Sequence, residues 1–298
     1  MDAVRVCAGL TLDCSIFRIT LRIYEIWPTT FPSHRSGASP MDSHVKAGIS
    51  GGVLTVTIDR AEKHNALSRS ILAELGTVFE RFAADPAVAV AVLTGAGDRS
   101  FAAGGDLREL STVRTPDEAM AFSVTAHQAL DRIRRFPLPV IAALNGDALG
   151  GGAELALACD LRIASSRARI GFLQSKLNIA TAWGGGNDLV GAVGVARALE
   201  LLCTARIVDG AEAVAWGLFS ARAAADESFD AFVSGFVAPY AAQRPLVMRA
   251  FKALCVARRS GMSPDERAHS ESAHFVPTWT SDEHWAAADR ALDRMKRA

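Results

Sequence analysis

Residues 148–160 read ALGGGAELALACD: Gly150, Gly151 and Gly152 run into a helix-prone apolar stretch that carries a single acid, Glu154. A second glycine-bearing loop lies upstream, SFAAGGDL over residues 100–107. Glycine lets backbone approach a ligand closely and leaves N–H groups free to point at it. A helix opening at the second loop adds the positive end of its dipole. Two loops that each aim one N–H at the same oxygen make an oxyanion hole. Either loop alone reads more simply as a tight strand-to-helix turn. The pair, one member followed by a carboxylate, points to chemistry. Glu154 stands three positions after Gly151, so the two share a helix face. An acid in a first turn also compensates the helix dipole. Here, however, Ala153, Leu155, Ala156, Leu157 and Ala158 surround it and imply burial. A buried acid with no basic neighbour in sequence has its pKa raised, which suits proton transfer.

These loops need elements to hold them. Val53–Ile58 alternates with period two and predicts a strand. Ser68 then caps an amphipathic helix to about residue 84, with Ile71, Leu72, Leu75, Val78, Phe79 and Phe82 on one stripe. Val88–Leu93 and Pro139–Leu144 are short apolar runs that predict buried strands. Each leads into one of the two glycine loops. Thr115 and Pro116 open a helix that extends to about Arg135. Leu161–Ala164 and Ile170–Phe172 predict further strands, Cys159-Asp160 marks the end of the helix carrying Glu154, and from about Asn187 the chain reads as almost wholly helical. The last helix is expected near 282–297. The order predicts an α/β fold with a parallel component, and pattern alone suggests a doubly wound sheet.

Other chemistries find little support. Gly48-Ile49-Ser50-Gly51-Gly52 matches G-x-S-x-G but precedes a strand, where a nucleophile elbow must follow one. No dinucleotide fingerprint, phosphate-binding loop or H-E-x-x-H stands in the chain. The seven histidines lack metal-ligand spacing, and His64 and His127 read as surface or packing residues, so no metal site is expected. Lys+Arg and Asp+Glu both number 32, which offers no footprint for nucleic acid and no polybasic membrane anchor. The five scattered cysteines fit reduced thiols, and a cytoplasmic location is the corresponding expectation. Residues 1–40 read as an extension unlike the rest, with Met41 as an alternative start.

Arg60-Ala61-Glu62-Lys63-His64-Asn65-Ala66-Leu67, the FAAGGDL loop and PVIAALNGDALGGGAELALACD, in that order, closely resemble the enoyl-CoA hydratase/isomerase (crotonase) superfamily over about residues 50–260. The resemblance implies a spiral core of ββα repeats over 41–240 and a helical region over 241–298 that assembles a homotrimer or a dimer of trimers. It implies an acyl-CoA thioester substrate and no separate cofactor. The backbone N–H groups of Ala103 and Gly151 are carried over as the oxyanion donors. Lys63, Ala66, Ala102, Gly104 and Asp106 are carried over as lining the coenzyme A path.

Two departures from the family pattern bear on the reaction. A second glutamate is expected twenty positions after Glu154, and Gln174 stands there. A glutamine orients water or a carbonyl but cannot exchange a proton. Thr181-Ala182-Trp183-Gly184-Gly185-Gly186-Asn187-Asp188-Leu189 also replaces P-G-A-G-G-T-x-R-L, losing its proline, threonine and arginine. One acid with a tryptophan before the glycines looks more like the ethylmalonyl-CoA and methylmalonyl-CoA decarboxylase-like members. Loss of CO₂ from a malonyl-type thioester leaves an enolate that a single protonated Glu154 quenches. Hydration or isomerisation of a 2-enoyl-CoA is the alternative, and a catalytically silent acyl-CoA binder the second. Trp183, Gln174, Phe172 and the helix from Pro116 are the expected pocket walls.

Overall fold

Period-two pairing starts earlier than the alternating run at Val53. In the structure, a computed structural model describing residues 43–297, β1 (Val45–Ser50) and β2 (Val53–Ile58) form an antiparallel hairpin across Gly51-Gly52. β1 is an edge strand whose Lys46, Ala47 and Gly48 are exposed, so it lacks a buried apolar face to read. The G-x-S-x-G match is this strand and its turn. The expectations about residues 1–40 lie outside the described residues.

β3 (Val90–Gly95), β5 (Val140–Leu144) and β7 (Leu161–Ala164) are parallel, and their residues are almost all buried. Burial on both faces is why β3 and β5 read as apolar runs, whereas β7 carries the buried Arg162. With β10 (Ala221–Arg222) the sheet order is β1-β2-β3-β5-β7-β10. Each strand is added on the same side, so the order never reverses, and the doubly wound expectation is corrected to a one-way progression. A second sheet runs β4 (Ser100–Ala102), β6 (Asp147–Leu149), β8 (Ile170–Gly171), β9 (Ile207–Val208). After β3, β5 and β7 the chain steps into β4, β6 and β8 in turn. Repeating that step builds the spiral of ββα units. β9 and β10 sit in the region expected to be helical, where two-residue strands are too short to show a period.

The helices are α1 (Arg69–Phe82), α2 (Leu107–Leu110), α3 (Pro116–Arg134), α4 (Gly151–Ala158), α5 (Gly185–Thr204), α6 (Gly210–Ala215), α7 (Phe229–Ala241), α8 (Pro245–Arg259), α9 (Pro264–Trp279) and α10 (Asp282–Arg297). Ser68 caps α1 by accepting from the Ile71 N–H, and Thr115 and Glu118 close a capping box on α3. Apart from Glu154, α4 is apolar all round, and Gly152 through Ala158 are all buried. It carries Glu154 into the core between the two sheets' loops.

Candidate active site

The loop before α1 is pinned by its own polar groups. Asn65, fully buried in a left-handed conformation, accepts from the Arg60 N–H and donates to the Ala96 and Ser100 carbonyls. Asn145, at the end of β5, accepts from the Gly95 N–H and donates to the Gly97 and Ser100 carbonyls. Both motif asparagines therefore fix the turn between β3 and β4. Arg60 pairs with Asp106 at 2.8 Å and also donates to the Ala66 carbonyl. Burial pushes the Asp106 carboxyl up, but Arg60 and the Glu109 and Arg108 N–H groups outweigh that and hold it below its ordinary value. Asp106 is thus a structural anchor and the cap of α2. Lys63 is exposed at the tip of the same loop, and Ala66 is half-buried.

The two glycine loops meet. A side chain on Gly104 would reach within 3.2 Å of the Leu149 carbonyl and 3.7 Å of the Gly151 nitrogen. At Gly152 a Cβ would stand 1.9 Å from the Ala102 carbonyl, so only glycine lets α4 start against β4. Ala102 is buried in that contact.

The structure corrects one donor. The Ala103 N–H already donates to the His64 carbonyl at 3.0 Å, so it has no free hydrogen for a thioester. Two residues on, Gly105 faces Leu67 across a parallel bridge whose hydrogen bonds use Gly104 O and Asp106 N. That pairing leaves the Gly105 N–H without an acceptor among the described residues, and the Gly151 N–H likewise. Gly104, at φ 110, turns the chain between Ala103 and Gly105, so these two amides face different neighbours, and sequence spacing carries no signal of which one is free. The Trp183 indole lies against both glycines: a Cβ would come within 2.3 Å of it at Gly151 and 3.8 Å at Gly105. Phe122 of α3 packs edge-on to the same ring at 5.8 Å.

Glu154 is 2% exposed. Its Oε1 accepts from Gln174 Nε2 at 2.9 Å, and its Oε2 accepts from the backbone N–H groups of Trp183 (2.9 Å) and Gly185 (3.0 Å). Burial pushes its pKa above the ordinary value, and these donors only partly oppose that. Gln174, 8% exposed, stands directly beside Glu154 as its spacing suggested, but its Oε1 is a buried acceptor with no partner among the described residues. Phe172 is buried in the main core.

Arg134 and Asp188 escaped the sequence reading as members of this site. Arg134 Nη2 donates to the Trp183 carbonyl at 2.8 Å, and its Nε donates to Asp188 Oδ2 at 2.8 Å. Asp188 is the position where the arginine of the family pattern is missing, and a reversed charge is a signal to look for a basic partner. His127 packs beside the same turn, where its Cε1 would lie 2.9 Å from a Cβ on Gly184. Burial, reinforced by Arg134, lowers its pKa.

A glycine-loop pair, a buried carboxyl and a one-way ββα spiral agree with what comparison with known proteins finds: the family model for enoyl-CoA hydratase/isomerase matches residues 48–293. The chain belongs to the enoyl-CoA hydratase/isomerase family. It is similar to the short-chain-enoyl-CoA hydratase of Clostridium acetobutylicum, 40% identical over 56% of this chain and 64% of that one. It is also similar to the mitochondrial methylglutaconyl-CoA hydratase of Mus musculus, 38% identical over 57% of this chain and 54% of that one. The aligned stretch thus spans between half and two thirds of these relatives. An enoyl-CoA hydratase structure from Geobacillus kaustophilus, 32% identical, superposes with a TM-score of 0.77 over 85% of this chain and 96% of that one. Within this enoyl-CoA hydratase/isomerase fold, α9 and α10 bury none of their residues and leave Phe275, Trp279, Trp285 and Met295 exposed.

Proposed function

We propose that the protein is an acyl-CoA lyase that adds water across the double bond of a 2-enoyl-CoA, with Glu154 as its acid–base group. The observation that carries this reading is the Glu154–Gln174 pair. The unpartnered Gln174 Oε1 is an acceptor for one hydrogen of a water whose other hydrogen faces the Glu154 carboxylate. Glu154 takes that proton as the water oxygen bonds to C3. The double-bond electrons move toward the thioester, whose oxygen becomes an enolate held by the Gly105 and Gly151 N–H groups. The enolate then takes the proton from Glu154 at C2, which restores the carboxylate. Hydrogen and hydroxyl have been added, and one acid has served both steps.

Decarboxylation of a malonyl-type thioester uses the same donors but has weaker support. Its substrate carboxylate would face two acceptors, Glu154 and the Gln174 carbonyl, and the relatives above are named hydratases. Lys63, Ala66, Ala102, Gly104 and Asp106 border the loops along which the coenzyme A chain would run. The exposed aromatic face of α9 and α10 fits assembly into a homotrimer or a dimer of trimers.

The test is incubation with 2-enoyl and malonyl-type thioesters, with products weighed by mass spectrometry. Gain of water by the enoyl thioester is expected, and Glu154→Gln lowers that turnover by at least about 10²–10⁴-fold. Loss of CO₂ instead, or calorimetric binding with no product from either class, overturns the reading.

A further inference from the structure

The carboxyl of Glu154 is held chiefly by backbone, and that backbone is itself held from one helix. The segment 181–186 supplies the Trp183 and Gly185 N–H groups to Glu154 Oε2. Up to Gly184, at φ 88, it is irregular, so nothing regular fixes the Trp183 N–H, while Gly185 is the first residue of α5 and its N–H points wherever the start of that helix is held. Two side chains of α3 grip it. Ser123 donates to the Ala182 carbonyl at 2.8 Å, and Arg134 donates to the Trp183 carbonyl at 2.8 Å. A Cβ on Gly184 would fall 2.7 Å from Arg134 Nη2, so the guanidinium lies directly beneath the turn. The other faces of that guanidinium are taken by Asp188 at 2.8 Å and Asp131 at 2.9 Å. Arg134 and Asp188 side chains are only 11% and 15% exposed. A planar fork with three fixed acceptors has little freedom to turn.

We propose that Arg134, locked by Asp188, is a positioning residue that sets the two backbone N–H groups on Glu154 Oε2. The inference rests on Glu154 being the acid–base group only for its consequence in catalysis; the geometry stands without it. Asp188 then has a purpose of its own: it anchors Arg134, and the arginine of the family pattern at that position would repel it. Among the described residues, the charged and titratable groups facing the clamp are His127 and Asp131 from α3 and Asp188 from α5, with Arg162 of β7 attracting Asp188 through space.

The experiment follows the Glu154 carboxyl directly by carbon-13 NMR of glutamate-labelled protein, its signal assigned by disappearance in Glu154→Gln. Arg134→Lys keeps a charge beside Asp188 but cannot span Asp188, Asp131 and the Trp183 carbonyl together. In this variant the Glu154 titration is expected to move to higher pH, because the N–H donors that oppose burial are loosened. The melting temperature stays near that of the parent. Arg134→Met moves the titration the same way, and kcat/KM on the preferred thioester falls about tenfold in either variant, with the acid limb moving alongside. A Glu154 titration unchanged in folded Arg134→Lys overturns the clamp. So does a double variant, Arg134→Asp with Asp188→Arg, that restores the Glu154 titration by restoring the ion pair alone, since it lacks the bond to the Trp183 carbonyl. Shifted titrations together with an active Glu154→Gln would keep the clamp and remove the acid–base role of Glu154.

Discussion

A carboxyl that must both take and give a proton works best when its two forms are close in free energy at the working pH. At Glu154 two influences oppose each other: burial favours the neutral acid, and the Trp183, Gly185 and Gln174 N–H donors favour the carboxylate. Burial wins, so the folded protein keeps a proton on Glu154 at a pH where the unfolded chain, with its ordinary value of about 4.3, has released it. The stabilising share of this group is therefore complete below that value and is lost as pH rises through the raised one. Glu154→Gln removes the slope. In the variant, the new amide oxygen accepts from Trp183 and Gly185, and its NH₂ group finds the Gln174 carbonyl once that amide turns over. The expected outcome is a gain in melting temperature of about 2–4 °C per kcal/mol regained, larger near pH 8 than near pH 5, together with lost turnover. Equal differences at both pH values would show that the carboxyl is not destabilising when charged.

At the level of elements, the site depends on how closely α4 and β4 approach. Gly152 and Gly105 look equivalent as glycines in two loops, yet their surroundings differ. The Cβ of Gly152→Ala would strike the Ala102 carbonyl at 1.9 Å, and backbone cannot yield without moving β4. The Cβ of Gly105→Ala would meet the Leu110 Cδ1 at 2.7 Å, the far end of a half-buried side chain that can rotate. Urea titration should show Gly152→Ala destabilised by about 3 kcal/mol or more and Gly105→Ala by about 1 kcal/mol or less. Comparable losses would mean that the closeness of α4 to β4 is not what the glycine serves.

For the described molecule as a whole, α8 is joined to the spiral by a charge cluster built around one buried lysine. Asp160, which follows α4, accepts from the Val140 N–H at the start of β5, from Arg259 at 3.2 Å and from Lys252, both of α8. Lys252 is 3% exposed, and burial lowers its pKa while Asp160 opposes the shift. Arg162 lies nearby, donating to the Leu218, Ala156 and Cys159 carbonyls. Asp160→Ala would leave Lys252 buried and unpaired, at a cost of about 3–5 kcal/mol. Lys252→Met is expected to cost much less, because Asp160 retains Arg259, the Val140 N–H and contact with water. Denaturant midpoints decide this, and equal losses would remove the asymmetry on which it rests.

Several features were legible along the chain because they depend on neighbours in sequence. Ser68 and Thr115 mark helix starts since a cap bonds within three residues, and β3 and β5 show as apolar runs since both their faces are buried. Glu154 declares itself by its burial, and Gln174 by its spacing from Glu154 along a family pattern. What the chain alone left undecided are the pairings across distance. The sheet order, which amide of the Ala102–Asp106 loop is free, and the partner of Asp188 each depend on strands or helices brought together from far apart. Ala103 reads as a donor until its N–H is seen spent on His64, and Asp188 reads as a loss until Arg134 is seen beside it. A hydrogen bond acts through space, so sequence specifies which groups can donate and accept, and only tertiary structure decides which are already satisfied.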